Sequence, residues 1–224
     1  MADTTLCTFA ELEFLLRSAA GPHGERTAGM DAVRRRLGLQ PEAATDIVTA
    51  AGVASLLARG LCTDEGGNVV PGPLVLGAVA ALSTLHTTTE AAGSSGARTL
   101  TMHLFSGTAA HLAAYPGPFG LYGVDALDPA EPLAAPLARF VDRCTAGDGE
   151  AAVVIRSGTG DGPEVELAIA RAADGTWLLS DGQPTTADQP SDQPSAPLPG
   201  RPSNRDGVVA ALVERFGARV AAGA

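Results

Sequence analysis

Four histidines and three cysteines are the side chains best suited to nucleophilic or metal chemistry, and their spacing matches no ligand pattern. Cys7, Cys62 and Cys144 lie far apart, with no CxxC and no Cys/His spacing, and read as reduced, partly buried thiols. His103 and His111 fall on one expected hairpin and could approach one another, but two histidines alone do not hold a metal. Asp125, Asp128 and Glu131 form an acidic group that reads as a solvated turn leading into a helix N-terminus, where acids favour the dipole. The glycine-rich run Gly158-Thr159-Gly160-Asp161-Gly162-Pro163 lies between two expected strands and reads as a hairpin loop, in preference to a phosphate cradle. The chain contains no lysine, so no P-loop is possible, and neither GxGxxG nor GxSxG occurs. The expectation is a protein that is not an enzyme and uses neither cofactor nor metal.

Two other groupings bear on binding. Phe105, Tyr115, Phe119 and Tyr122 hold four of the nine aromatic residues, and Pro116-Gly117-Pro118 sits rigidly among them. Core packing is the ordinary explanation of such a cluster. The alternative is a protein-binding patch, where aromatics are enriched, and these four are the candidate binding residues. Arg34-Arg35-Arg36, with Arg59, is the basic concentration of the N-terminal part. Against a DNA-binding role, the expected third helix carries few cations, and Asp64 and Glu65 stand where a wing would meet phosphate.

Composition narrows the class. Twenty-five acids against fifteen arginines give a net charge of −10, which disfavours nucleic acid as a partner. Arginine as the sole fixed cation, with abundant Ala, Gly and Pro, reads as the codon bias of a high-GC, actinobacterial genome. No apolar run approaches the ~20 residues of a membrane span, and the N-terminus lacks a signal-peptide pattern. These features predict a soluble, cytoplasmic protein.

The elements follow from periodicity. Thr8-Phe9-Ala10-Glu11 predicts a capping box opening a helix that ends at Gly21-Pro22. A short helix over 31–37 and a third with Pro41 in its first turn follow, the latter with the stripe Ile47, Val48, Ala51, Leu56, Leu57 and Leu61. Residues 61–70 read as a small hairpin, and 77–85 as another helix. Thr87 to Gly96, small and polar, reads as a loop. Strands are expected near 99–105, 111–115 and 120–124, a helix over 133–144, and strands at 151–155, 165–169 and 176–179, the last pair joined by Asp174-Gly175. A proline-rich linker spans 183–205, and Asn204 caps a last helix with the stripe Val209, Leu212, Val213, Phe216 and Val220, expected to dock on the sheet.

The sum is an α+β fold. A helical, winged-helix-like part (1–90) is packed with a mostly antiparallel sheet and helix (97–182), a linker (183–205) and a C-terminal helix (206–224), together one compact domain. The helix Phe9 to Leu16, the segment Ala51 to Leu61 with its L-x-x-R-G-L ending, the glycine-rich turn after it, the strand Arg98 to Phe105, Ala151 to Ser157 and Val165 to Asp181 resemble in order the EspG family of actinobacterial type VII (ESX) secretion. That resemblance implies a cytoplasmic chaperone or adaptor that binds helical secreted clients of the PE–PPE kind. No binding residue is carried over from the family. The competing expectation is a winged-helix transcription regulator with a C-terminal sensing domain.

Overall fold

The computed structural model describes residues 4–21, 28–40, 42, 44–96, 98–147, 149–159, 165–182 and 200–217. The fold mixes helices with a large antiparallel sheet, and the chain divides into two compact units. Unit 1 comprises residues up to 88 together with 103–129; unit 2 comprises 89–102 and the residues from 130 onward.

In unit 1, strand β1 (Thr5–Thr8) runs directly into helix α1 (Phe9–Ala19). The predicted capping box is present: the Thr8 hydroxyl accepts from the Glu11 amide, and the Glu11 carboxylate accepts from the Thr8 amide at 2.7 Å. Helix α2 (Ala28–Arg36) and helix α3 (Asp46–Ala58) follow, then the hairpin β2 (Cys62–Glu65) and β3 (Asn68–Pro71), and helix α4 (Pro73–Ser83). Helix α3 starts later than the sequence reading placed it. Thr45 caps it by accepting from the Val48 amide, and Pro41 lies outside the described residues. Ile47 of the expected stripe points outward, and the helix buries Gly52 and Leu56. Gly52 fits against α1 so closely that a Cβ there would overlap the Ala10 carbonyl, whose carbon would lie 2.7 Å away.

Strand β4 (Leu85–Ser95) corrects the expected loop at 87–96. Thr87, Thr88 and Thr89 are buried, and β-branched threonine suits a pleated surface. Strands β4 and β5 (Arg98–Gly107) each begin in one unit and end in the other. With β6 (His111–Pro116) and β7 (Leu121–Leu127), unit 1 has the strand order β1-β7-β6-β5-β4. Its core gathers Cys7, Leu12, Leu15 and Leu16, Val33, Leu56, Ala78 and Leu82 around Phe105, Leu112, Ala114 and Val124.

Unit 2 continues from β4 through β8 (Ala151–Gly158), β9 (Val165–Arg171), β10 (Trp177–Gly182) and β11 (Arg201–Ser203). The glycine-rich run after Ser157 joins two antiparallel neighbours, with Ser157 opposite Val165. The end of the expected linker is the strand β11, where Pro202 faces Leu178; 183–199 lie outside the described residues. Helix α5 (Ala134–Thr145) buries Leu137, Phe140, Val141 and Cys144. Helix α6 (Arg205–Phe216), capped by Asn204 as expected, packs on α5 and buries Val208, Ala211, Leu212 and Phe216. Of its predicted stripe, Val213 points to solvent and Val220 lies outside the described residues.

All three cysteines are buried free thiols. Burial, helped by the nearby Glu11 carboxylate and opposed by Arg59, pushes the Cys7 thiol up to about 11. Burial also raises Cys144 against the pull of Arg143. A thiol reagent at pH 8 is therefore expected to leave the native protein unmodified for minutes and to titrate all three thiols once denaturant is added. Fast labelling of one cysteine in the native state would contradict this packing.

Candidate protein-binding site

Strand register sorts the four clustered aromatics. Directly opposed residues of an antiparallel pair share a face, and successive residues alternate. Tyr122 opposes Cys7 and Pro116, and Phe105 opposes Leu112. Both lie on the face that packs on the helices: Phe105 is 0% exposed within the core, and Tyr122 is half-buried against it. Phe105 is therefore a core residue with no surface for a partner. The Tyr122 hydroxyl donates to the Leu37 carbonyl, which ties the end of β7 to the end of α2, and burial raises the Tyr122 phenol.

Tyr115 opposes Gly123 and so lies on the other face, with Leu6, also opposite Gly123, and Leu121. Glycine at 123 keeps this surface flat. A Cβ there would sit 3.7 Å from the Tyr115 ring and 2.8 Å from the Thr4 methyl. Leu6 is 55% exposed, while Tyr115 and Leu121 are half-buried.

Phe119 stands at the tip of the β6–β7 connection, in a single 3₁₀ turn over Pro118–Gly120. It is 99% exposed. Its backbone has φ 60° and ψ 26°, making it the one non-glycine residue with positive φ among the described residues. The Gly117 amide closes the turn by donating to the Leu121 carbonyl at 2.8 Å. A bulky L-residue in this conformation costs about 1–2 kcal/mol and gains nothing here from burial. Asparagine tolerates the conformation, so Phe119→Asn is expected to raise stability by about 0.5–1 kcal/mol, read as a higher urea midpoint at unchanged slope. An unchanged or lower midpoint would show that the ring is supported in the free protein.

The other groups singled out in the sequence are dispersed. His111 opposes Ser106 and His103 opposes Ala114, which puts the two imidazoles on opposite faces of the sheet. His103 stacks on Phe105 with ring centroids 6.3 Å apart. Asp125 accepts from the Thr4 hydroxyl, and Glu131 pairs with Arg139. Among the described residues no group of three or more His, Cys, Asp or Glu side chains is placed to hold a metal ion. Of the basic group, Arg34 is 7% exposed and donates to Glu13 at 3.0 Å, and Arg59 donates to Glu11 at 2.8 and 2.9 Å. Arg35 is exposed.

The apolar surface is thus Phe119 at the tip, with Leu6, Tyr115 and Leu121 on one face of the sheet edge. Leu6 and Leu121 carry no aromatic signal, so the clustering of rings does not point to them. No described helix is long and apolar enough to cross a membrane. No protein-family model matches this chain, and no curated protein is significantly similar to it.

Proposed function

We propose that this chain is a cytoplasmic chaperone or adaptor that binds a helical secreted client, in the manner of the EspG proteins of type VII secretion. The observation that carries the reading is Phe119, a fully exposed aromatic held in a strained backbone conformation. Strain kept at an exposed ring points to a partner that covers it. The client's apolar end would seat on Phe119 and extend over Leu6, Tyr115 and Leu121, within an interface of ~1,600 Å². Desolvated aromatics of this kind dominate interface energetics.

The winged-helix-like order of α1 to β3 gives the regulator reading less support. Arg34 and Arg59 are engaged in internal ion pairs, and the exposed end of β2 carries Asp64 and Glu65. Co-expression with a helical secreted client tests the proposal. The client is expected to stay in solution and co-elute with the wild-type chain, and Phe119→Ser should cut recovery about tenfold or more at unchanged folding. Full recovery with Phe119→Ser removes the tip from the site. Retention of duplex DNA at low salt, lost steeply as salt rises, would favour the regulator.

A further inference from the structure

Helix α2 has little apolar surface to hold it on unit 1. Among its described side chains Met30 and Val33 are the buried apolar ones, and Leu37 and Leu39 follow in the turn after it. All four belong to the same core cluster as Leu12 and Leu16 of α1. The turn goes with the helix: Gly38 takes φ 64°, and the Leu39 amide donates back to the Arg34 carbonyl at 2.9 Å. A helix of nine residues is too short to persist by itself in water, so α2 is helical only while it is docked.

The docked face also buries charge. Arg34 donates through Nη2 to the Glu13 carboxylate at 3.0 Å, and both side chains are buried. The pair is only half satisfied: among the described residues, Glu13 Oε1 and Arg34 Nε are buried with no hydrogen-bond partner. Taking two ions out of water is costly, and a single hydrogen bond recovers only part of that cost. Undocking α2 returns both charges to water, which offsets a share of the loss from exposing Met30, Val33, Leu37 and Leu39. The joint between α1 and α3 is built differently. There both Glu11 oxygens are engaged, by the Thr8 amide, the Ser55 hydroxyl and Arg59, so hydration of that carboxylate gives no comparable return.

We propose that α2, with the turn through Leu39, is a displaceable flap of unit 1, latched by the half-satisfied Glu13–Arg34 pair. The flap is also tied to the sheet by the Tyr122 hydroxyl on the Leu37 carbonyl. Opening withdraws that acceptor from the start of β7. The docking of α2 and the order of the first residues of β7 are thereby linked, and whatever steadies one steadies the other. The inference goes beyond the client-binding reading and does not rest on it, because opening is a property of the free chain.

Hydrogen exchange of the full chain at neutral pH, followed by mass spectrometry, tests this. Amides over 30–39 are expected to exchange at least about tenfold faster than those of α1 and α3. The double variant Glu13→Leu/Arg34→Met keeps the volume and removes both charges, and should slow exchange over 30–39 about tenfold. Arg34→Met alone strands the Glu13 carboxylate and should speed it about a hundredfold. Tyr122→Phe should speed it about fivefold, the worth of one hydrogen bond. Exchange over 30–39 at the rate of α1 and α3 overturns the flap, since α2 would then open only with the whole unit. A double variant that exchanges as fast as wild type, or faster, overturns the latch by showing that the ion pair holds α2 better than apolar side chains do. No effect of Tyr122→Phe overturns the link to β7. Client recovery with Phe119→Ser decides the binding reading separately from each of these results.

Discussion

Gly52→Ala is expected to destabilise unit 1 by about 3 kcal/mol, the upper part of the range for overpacking, because the obstacle is backbone. An exposed helical glycine would gain up to about 1 kcal/mol from the same change. Here the added Cβ meets the Ala10 carbonyl, which belongs to α1 and cannot rotate aside as a side chain could. Relief requires α1 and α3 to separate, and that loosens the packing of Leu12, Leu15 and Leu56 together. A thermal melt reads the effect as a fall in Tm of roughly 6–12 °C for a chain of this size. A rise in Tm would mean that α1 and α3 are less closely packed than the structure has them.

The second large effect is at Glu11. Its side chain is completely buried, yet it accepts from the Thr8 amide, from the Ser55 hydroxyl at 2.8 Å and from Arg59. Burial pushes the carboxyl up, and these donors together outweigh it and hold the carboxyl below the ordinary range. Glu11→Ala is expected to cost about 3 kcal/mol, the lower end for breaking a buried pair, because Arg59 is partly exposed and can turn to water. Glu11→Gln keeps the shape and loses the charge, and separates the electrostatic part. The folded value is depressed, so the stabilisation is present above the unfolded value near 4.3 and disappears as pH falls through the folded one. Urea midpoints of wild type and Glu11→Gln should therefore differ most at pH 6–7 and converge in acid. A difference that stays constant to pH 3 would show that the Glu11 carboxyl binds protons alike in the folded and unfolded states and is not held below its ordinary range.

How much of this was legible in the chain depended on how far apart the partners lie. Thr8 and Glu11 are three positions apart, so the capping box could be read directly. So could the β2–β3 and β9–β10 hairpins, whose turns are local. The buried pair Glu13–Arg34 joins residues 21 positions apart on different helices, and nothing in either segment announces it. Pro41 gives a start signal ahead of helix α3, while the cap forms at Thr45. Strand β4 is hidden by its small polar residues, which also favour loops, although Thr87 to Thr89 have the branching of a buried strand. For the candidate site, the clustering of aromatics was visible but their faces were not. Phe105 and Tyr115 are both aromatic residues of neighbouring strands, and the pairing frame of β5, β6 and β7 sends one into the core and leaves the other on the open face.

The pairing of β1 with β7 has a consequence for synthesis. Thr4 reaches Asp125, 121 positions later. At ~5–20 residues per second, translation leaves the first strand without its neighbour for on the order of ten seconds. Through that interval Leu6 and the foot of α1 have no sheet to join. Long-range closure of this kind is slow, and β7 is the last strand of unit 1 in chain order. The nascent chain is therefore most vulnerable at its own beginning, and substitutions at Leu6 or Thr8 should lower yield in the cell by more than their effect on the finished protein would suggest.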